Sequence, residues 1–308
     1  MCFGEFNARR WCVKRVGFIG LGDMGLPMSR NLINAGFEVC GFDLRPDRLD
    51  LLEKHGGLRA ATLEEIAKTS DVVFVMVMTG KQVTDIILGD DGLLKSMSEG
   101  SVIILTSTIA PSDVRDLVVP VLNKKIQIID TPVSGGKSGA ENGTLTMMAA
   151  STKDTFDRYQ DVLKSVGEKI FHVGEEIGMG QTVKAALQAL IGSTFTAIFE
   201  SLVLGAKAGV RGEVLHEVFG ASGVGSPLLK NCSKLIMDRA FKDTGSQIAT
   251  MYKDLGISMD LAKQNGVAMF TTAAAYELFQ SGISLFPDED NWSIVRLLEQ
   301  IADTEVKW

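Results

Sequence analysis

The chain has 308 residues, of which 45% are hydrophobic and 22% charged, and its formal net charge is −7. This composition is typical of a globular enzyme with room for two domains, and the acidic balance excludes a broad basic surface for nucleic acid or anionic lipid. The longest uninterrupted apolar runs, such as residues 72–78 and 102–105, are far shorter than the roughly 20 residues of a membrane span. We therefore expect neither a nucleic-acid partner nor a membrane partner.

The cysteines and the first residues indicate the compartment. Cys2, Cys12, Cys40 and Cys232 form no C-x-x-C pair and have no neighbouring histidine, so we predict no metal site and no disulfide framework, as in a reducing compartment. Residues 1–15 carry four basic residues and no continuous apolar segment, which predicts an N-terminal tail rather than a secretory signal. A cytoplasmic location is expected, with a short mitochondrial targeting remnant as the alternative.

From Val16 to about Gly174, short β-branched runs alternate with helical stretches. This alternation predicts an α/β fold, a parallel sheet of the Rossmann type with crossover helices, and we assign residues 16–177 to a dinucleotide-binding domain. The predicted strands span residues 16–19, 38–43, 72–77, 102–105, 126–129, 144–149 and 169–173.

The first of these strands runs into a glycine loop. Gly20, Gly22 and Gly25, with Leu21, Asp23 and Met24 between them, have G-x-G-x-x-G spacing, and the second strand ends at Asp43. In a βαβ unit this loop places the backbone and a helix N-terminus against a pyrophosphate, while the acidic residue accepts the ribose hydroxyls of NAD. Arg45 lies two residues beyond Asp43 and could pair with the 2′-phosphate of NADP. We predict NAD as the cofactor, with NADP as the alternative.

Beyond "GEEIGMGQ" the sequence becomes helical throughout. Apolar residues at spacings of three and four predict one long helix over residues 181–208, and further helices are predicted with breaks at Gly209, 220–227, Gly256, Gly266 and 282–290. We place a boundary near residues 175–180 and assign residues 178–308 to an all-helical substrate and oligomerisation domain, joined to the first by the long interdomain helix.

The candidates for acid/base chemistry are few. His55, His172 and His216 are the three histidines, and each is expected to have a structural role. Lys184 lies in the first turns of the long helix, and Gln188 follows one turn later on the same face. Partial burial between the domains would lower the pKa of Lys184 towards that of a general base. A solvated surface lysine is the alternative at this stage.

Five segments, spread in order along nearly the whole chain from Val16, carry a family resemblance. They are "VGFIGLGDMGLPMSRNLINAGFEVCGFD" (16–43), "TSTIAPS" (106–112), "DTPVSGGKSGAENGTLTMM" (130–148), "VGEEIGMGQTVKAALQ" (173–188) and "MYKDLGIS" (251–258). Together they closely resemble the β-hydroxyacid dehydrogenase family, which includes 3-hydroxyisobutyrate, tartronate-semialdehyde and L-threonate dehydrogenases. The resemblance implies that Lys184 is the catalytic residue, which removes the hydroxyl proton of the substrate as hydride leaves for the nicotinamide.

The same resemblance implies further site residues. Ser134, Gly135 and Gly136 match the family's substrate loop, where a hydroxyl and successive N–H groups suit a carboxylate. Ser107 matches a serine close to substrate and nicotinamide, with Thr108 beside it at the cofactor, and Lys253 matches a lysine that reaches the cofactor. A local turn or cap hydroxyl for Ser107, an ordinary turn at 134–136 and a surface lysine beside Asp254 are the structural alternatives.

Position 188 departs from the commonest family pattern. The family often has asparagine there, whereas Gln188 matches the threonate-type branch, so a four-carbon sugar acid such as threonate is the first expectation for the small 3-hydroxy acid substrate. Alternatives are a 3-hydroxyisobutyrate or tartronate-semialdehyde type enzyme and a non-catalytic nucleotide-binding module. A decarboxylating phosphogluconate-type enzyme would need a larger helical domain, and an imine reductase normally lacks this lysine. We expect a homodimer or homotetramer.

Overall fold

The structure is a computed structural model that describes residues 15–308. Most of the predicted tail, with Cys2 and Cys12, lies outside the described residues. Arg15, which the sequence places in that tail, is the first residue of the first strand, where it pairs with Glu38 and forms an ion pair with Asp71.

A nine-stranded sheet forms the N-terminal part. Its strands follow in space as β3-β2-β1-β4-β5-β6-β8-β7, with β9 paired to β8. Strands β1 to β6 pair in parallel, β8 is antiparallel to β6 and β7, and β9 is parallel to β8. The bounds are β1 Arg15–Ile19, β2 Glu38–Phe42, β3 Leu58–Arg59, β4 Val72–Val75, β5 Val102–Leu105, β6 Gln127–Asp130, β7 Val133–Ser134, β8 Leu145–Ala150 and β9 Gly167–Gly174.

The seven predicted strands are present, whereas β3 and β7 were not predicted. Both have two residues, too few for an alternating apolar pattern to be recognised. The middle strands β4 and β5 are buried along their whole length, as expected for parallel strands covered by helices on both faces. One apolar core lies on each face of the sheet, around Phe18 and Phe74 on one side and around Ile103 and Leu105 on the other.

The helices cover the sheet and form the C-terminal part. Those packed on the sheet are α1 Gly25–Asn34, α2 Pro46–Lys54, α3 Leu63–Thr69, α4 Gly80–Leu88, α5 Pro111–Asn123, α6 Gly136–Asn142, α7 Lys153–Arg158 and α8 Gln160–Lys164. The later ones are α9 Met179–Lys207, α10 Gly212–Ala221, α11 Pro227–Met237, α12 Ile248–Gln264, α13 Phe270–Leu285 and α14 Val295–Ala302. The predicted breaks at Gly209 and Gly266 fall between helices, and the break predicted at 220–227 contains the gap between α10 and α11, residues 222–226.

One predicted break was wrong, and the break predicted at 282–290 begins later, at residue 286. Helix α12 continues through Gly256, because an isolated glycine inside a helix is tolerated. Helix α13 continues through Gly282 to Leu285. A Cβ at position 282 would lie 2.7 Å from Cγ1 of Ile294, so this glycine serves close packing rather than termination.

Helix α9 begins five residues after β9 ends, so the predicted boundary at 177/178 falls in this connection. By length and composition α9 could cross a membrane, which a count of uninterrupted apolar residues missed. A core helix of a folded domain passes the same test. Here α9 packs against α12, α13, α14 and β8 and buries Gln181, Lys184 and Gln188, so its apolar composition fits the central helix of the C-terminal part.

Candidate active site

The glycine loop between β1 and α1 folds tightly on itself. A Cβ at Gly25 would lie 1.9 Å from the carbonyl oxygen of Gly20, and one at Gly20 would lie 2.1 Å from that of Met76. These contacts are with backbone, which cannot move aside. At Gly22 the nearest atom to a Cβ is Nη2 of Arg45 at 3.7 Å. The loop therefore has no space for a side chain at Gly20 or Gly25, whereas the space next to Gly22 is open.

Asp43 joins the glycine loop to the end of β2. Its Oδ2 accepts the Leu21 N–H at 2.7 Å, and its Oδ1 accepts the Arg45 backbone N–H at 2.9 Å and faces the Arg45 Nε at 3.4 Å. Asp23 pairs with Arg48 at 3.1 Å, and Met24 precedes α1 without a side-chain cap. Of the first N–H groups of that helix, that of Leu26 is bonded to the Gly22 carbonyl at 3.1 Å. This arrangement fits a dinucleotide, because an uncapped helix N-terminus and an open glycine suit a pyrophosphate and a carboxylate at the end of β2 suits a ribose.

The loop after β5 contains Ser107 and Thr108. The Ser107 side chain is fully buried, and its hydroxyl accepts the Val77 N–H at 2.8 Å and donates to the Val75 carbonyl at 3.3 Å. This hydroxyl is thus engaged with the end of β4, and its contact with substrate stays a prediction. The Thr108 carbonyl accepts a hydrogen bond from Nζ of Lys253, which brings α12 to the carboxyl edge of the sheet.

Two buried polar residues that the sequence did not indicate connect this edge to α9. Asp130 ends β6 and accepts hydrogen bonds from the Gly178 N–H, the Gln181 N–H and the Gln181 side-chain amide at 3.0, 3.2 and 2.8 Å. Burial raises the pKa of Asp130 to about 6, against the opposing effect of these bonds. The sequence signal that could have identified Asp130 is an acidic residue at the end of an apolar strand, the same feature that identified Asp43.

Lys184 lies in a buried polar cluster formed by α9 and α12. Its side chain is buried, as its position on the helix predicted, and its Nζ forms no hydrogen bond or salt bridge within residues 15–308. Gln188 donates through Nε2 to Oδ2 of Asp254 at 2.6 Å, and Nζ of Lys253 lies 2.9 Å from Oδ1 of Asp254. Burial lowers the pKa of Lys184, the Asp254 carboxylate opposes this effect, and the charge of Lys253 adds to it. The cluster therefore favours a lysine that can exchange its proton.

The predicted carboxylate loop lies at the same edge of the sheet. Gly135 and Gly136 have φ angles of +132° and +59° and are exposed, while Ser134 is half-buried and pairs with Thr146 of β8. Two residues further along β8, the Met148 carbonyl would lie 2.5 Å from a Cβ at Gly180. Among the described residues no bond joins the loop at 134–136 directly to Lys184. The two are related through β8 and the start of α9.

The histidines are not part of this cluster. His172 is bonded to the Ser151 carbonyl at 2.8 Å and stacks on Phe156, and His216 is bonded to the Ser233 hydroxyl at 2.7 Å. His55 follows the last residue of α2. The structural roles expected for His172 and His216 are confirmed, and Lys184 is the buried basic group at the carboxyl edge.

Two family models match the chain in succession. The first, the NAD binding domain of 6-phosphogluconate dehydrogenase, covers residues 15–174, and the second, the NAD-binding domain of NADP-dependent 3-hydroxyisobutyrate dehydrogenase, covers residues 178–298. A 2-(hydroxymethyl)glutarate dehydrogenase of Eubacterium barkeri is 33% identical over 95% of this chain and 97% of its own length. An L-threonate dehydrogenase of Haemophilus influenzae is 30% identical over 93% and 96%. A 3-hydroxyisobutyrate dehydrogenase structure from Salmonella typhimurium superposes with a TM-score of 0.84 at 28% identity, covering 92% of this chain and 99% of that one.

The open position at Gly22 can be separated from the closed ones by substitution. Gly22→Ala should leave the thermal unfolding temperature of the cofactor-free protein close to that of the unsubstituted chain, because its Cβ meets nothing nearer than 3.7 Å. It should weaken NAD(H) binding at least about tenfold, because the added methyl group occupies the approach to the pyrophosphate. Isothermal titration calorimetry and differential scanning calorimetry measure the two quantities.

Gly25→Ala is the matched control. Its Cβ would overlap the Gly20 carbonyl, so we expect a clearly lower unfolding temperature even without cofactor. Equal unfolding temperatures and equal NAD(H) affinities for the two variants would contradict the assigned difference between these glycines.

Proposed function

The chain belongs to the β-hydroxyacid dehydrogenase family, and from that premise we propose that Lys184 exchanges a proton with the hydroxyl group of the substrate. Members of this family are NAD(P)-dependent oxidoreductases of small hydroxy acids. The observation that carries the proposal is the buried side chain of Lys184, next to Asp254 and Lys253, whose Nζ forms no bond within residues 15–308. We assign residues 16–177 to cofactor binding and residues 178–308 to substrate binding and oligomerisation.

The cofactor would be held by the glycine loop from Gly20 to Gly25, by Asp43, and by Thr108 and Lys253. When bound, its nicotinamide supplies or accepts the hydride. Asp43 favours NAD, because an ionised carboxylate already fixed beside the loop would face a 2′-phosphate with like charge. Arg45 is the group that could relieve this repulsion. Its guanidinium is half-exposed and lies next to Gly22, so NADP is the second choice.

Lys184 handles the proton in both directions. In oxidation its neutral amine accepts the hydroxyl proton, and in reduction its ammonium returns a proton to the new alkoxide oxygen. Burial makes the neutral form accessible, and the Asp254 carboxylate keeps the charged form accessible too. A pKa lowered towards the working pH makes proton transfer in both directions easier.

The substrate would be oriented from its two ends. Ser134, Gly135 and Gly136 would hold the carboxylate, as positive φ angles at consecutive glycines suit a backbone nest. At the other end the amide nitrogen of Gln188 is bonded to Asp254, so its oxygen is the group available to accept a substrate hydroxyl. This polarity supports a hydroxylated acid such as threonate over a branched apolar acid. Lys253 could contact the remaining hydroxyls.

The Ser222–Ser226 stretch is a weaker candidate for such contacts. Ser222 donates to the Phe219 carbonyl at 2.8 Å, and Ser226 caps α11 by accepting the Leu229 N–H at 3.2 Å. Both hydroxyls are therefore engaged locally. A 3-hydroxyisobutyrate or tartronate-semialdehyde type substrate is the alternative, and the similar Salmonella typhimurium structure is that of a 3-hydroxyisobutyrate dehydrogenase.

We also propose a cytoplasmic homodimer or homotetramer, with a mitochondrial location as the alternative. Val183, Leu190 and Leu204 of α9 are 40%, 65% and 72% exposed, and their spacing places them on one side of the helix. A second copy of the chain would cover this apolar stripe. Sedimentation equilibrium measures the state of assembly.

Removal of Lys184 tests the proposed role. Lys184→Ala should lower kcat at least about a hundredfold with little change in NAD(H) affinity, because the proton acceptor is lost while the glycine loop is intact. For the unsubstituted protein, kcat for oxidation should rise with pH through the lowered pKa of Lys184, and kcat for reduction should fall over the same range. Lys207→Ala, at the far end of the same helix, is the control and should leave kcat unchanged. Near-normal turnover by Lys184→Ala would exclude the assignment.

Cofactor choice can be tested at β2. The chain should use NAD with a higher kcat/KM than NADP, and Asp43→Ala should reduce this ratio by about tenfold or more, equivalent to roughly 1.4 kcal/mol. Arg45→Ala should instead reduce the use of NADP. Asp47→Ala, which removes an exposed carboxylate four residues after Asp43, is the control. A native preference for NADP would show that Arg45 governs the ribose site.

Substrate class is tested by direct competition. We expect kcat/KM to be higher for threonate than for 3-hydroxyisobutyrate or glycerate, and Gln188→Leu should narrow the advantage of threonate because it removes the hydroxyl acceptor. A preference for 3-hydroxyisobutyrate of more than about tenfold, or roughly 1.4 kcal/mol in transition-state binding, would rule out the sugar acid while leaving the dehydrogenase activity intact.

A further inference from the structure

The first turn of α9 is fixed to the sheet by two residues for which the reaction itself has no use. We propose that Asp130 and Gln181 are positioning residues, a clamp that holds the Nζ of Lys184 at the point of proton transfer. This inference rests on the role of Lys184 proposed above. The name "clamp" is used below for the pair Asp130 and Gln181 with the bonds that they form.

Asp130 caps α9 from another part of the chain. Its side chain is fully buried, and its carboxylate accepts the N–H groups of Gly178 and Gln181. Gly178, the residue before α9, provides no side-chain cap, so Asp130 replaces the missing cap and its negative charge lies at the positive end of the helix. The approach is close, because a Cβ at Gly180 would lie 2.6 Å from the Asp130 carbonyl oxygen.

Gln181 extends the clamp to the loop after β5. Its Nε2 donates to the Ser107 carbonyl at 3.0 Å and to Oδ1 of Asp130 at 2.8 Å, while its Oε1 accepts the Ile109 N–H at 3.1 Å. One amide thus holds both sides of Thr108, whose carbonyl is bonded to Lys253. The clamp connects three elements that carry proposed site residues: the loop after β5, the start of α9 and, through Thr108, helix α12.

The position of the Lys184 Nζ depends on this connection. A side chain held by its own hydrogen bonds would depend on it less. Lys184 follows Gln181 by three residues, about 4.5 Å along the helix axis, and its Nζ forms no bond of its own within the described chain. Its location is therefore determined by packing and by the backbone of the first turns of α9. A displacement of about 1 Å at a reacting group can lower the rate about a hundredfold. A loosened clamp should reduce proton transfer before it unfolds the protein.

The alternative is a purely structural cap, and a double-mutant cycle separates the two. Asp130→Asn retains the shape of the side chain but turns one acceptor oxygen into a donor that faces N–H groups. It should lower kcat about tenfold or more, with NAD(H) affinity within about twofold of normal. In the Lys184→Ala background it should change kcat by less than about twofold, because a residue that acts through Lys184 has nothing left to position.

A second readout does not depend on turnover. Hydrogen exchange of the cofactor-free protein should be faster at the N–H groups of Gly178 and Gln181 in Asp130→Asn, because their acceptor changes from a charged carboxylate oxygen to a neutral amide oxygen. Glu299→Gln is the matched control, since Glu299 is another buried carboxylate. It accepts a hydrogen bond from the Val306 N–H at 2.7 Å and forms an ion pair with Arg239. We expect a lower unfolding temperature for this control with unchanged kcat. If Asp130→Asn does not fold, Gln181→Asn, whose shorter amide cannot reach all three of its partners, takes its place in the cycle.

The outcomes distinguish the proposed role of Lys184 from the proposed role of the clamp. Normal turnover by Lys184→Ala alone overturns the proposed role of Lys184. An equal loss of kcat from Asp130→Asn with and without Lys184, or unchanged exchange at the Gly178 and Gln181 N–H groups, overturns the clamp while the role of Lys184 is retained. A loss of kcat that depends on Lys184, together with faster exchange at the start of α9, supports the clamp.

Discussion

Burial of Lys184 is the constraint around which the rest of the site is arranged. An ammonium group removed from water loses its hydration, so its surroundings must either pair the charge or favour the neutral amine. The structure does neither completely. Asp254 offsets part of the cost, but its two oxygens also face Gln188 and Lys253, and the Nζ of Lys184 is left without a bond. Burial therefore lowers the pKa of this lysine, which is the direction that the proposed reversible proton transfer requires.

The position of this lysine follows from the direction of the strands. In a parallel sheet the carboxyl ends of all strands lie at one edge, and ligands bind in the crevice outside that edge. Four features of the site lie at the carboxyl ends of strands, so they gather at this edge without any special contact between distant segments. They are the glycine loop after β1, Asp43 after β2, the Ser107 loop after β5 and Asp130 at the end of β6. What the sheet cannot supply is a base. Helices α9 and α12 bring Lys184 and Lys253 to the edge, so the proposed proton transfer would take place at the junction of the two parts of the chain.

The sequence predicted those features that leave a periodic or local signal. Apolar runs located the seven longer strands, the spacing of three and four located α9, and the βαβ context of Gly20, Gly22 and Gly25 located the nucleotide loop. Bonds between segments far apart leave no such signal, so the links of Asp130 to Gln181 and of Gln188 to Asp254 were not predicted. The orientation of the Ser107 hydroxyl is set by its hydrogen bonds to Val75 and Val77. Residues 106–112 alone do not indicate which strand lies next to them.

Helix α9 assigns the attachment to the sheet and the proposed contact with substrate to different residues, Gln181 and Gln188. Gln181, Lys184 and Gln188 follow one another at spacings of three and four, so they share one side of the helix. The first is bonded to the sheet and the last to α12, while Lys184 between them is unbonded. A change in the length of the side chain at position 188 alters the reach towards the substrate without moving the backbone that carries Lys184. A change at position 181 disturbs that backbone. With the proposed roles, substrate selection could therefore vary along this helix while the position of the base is kept.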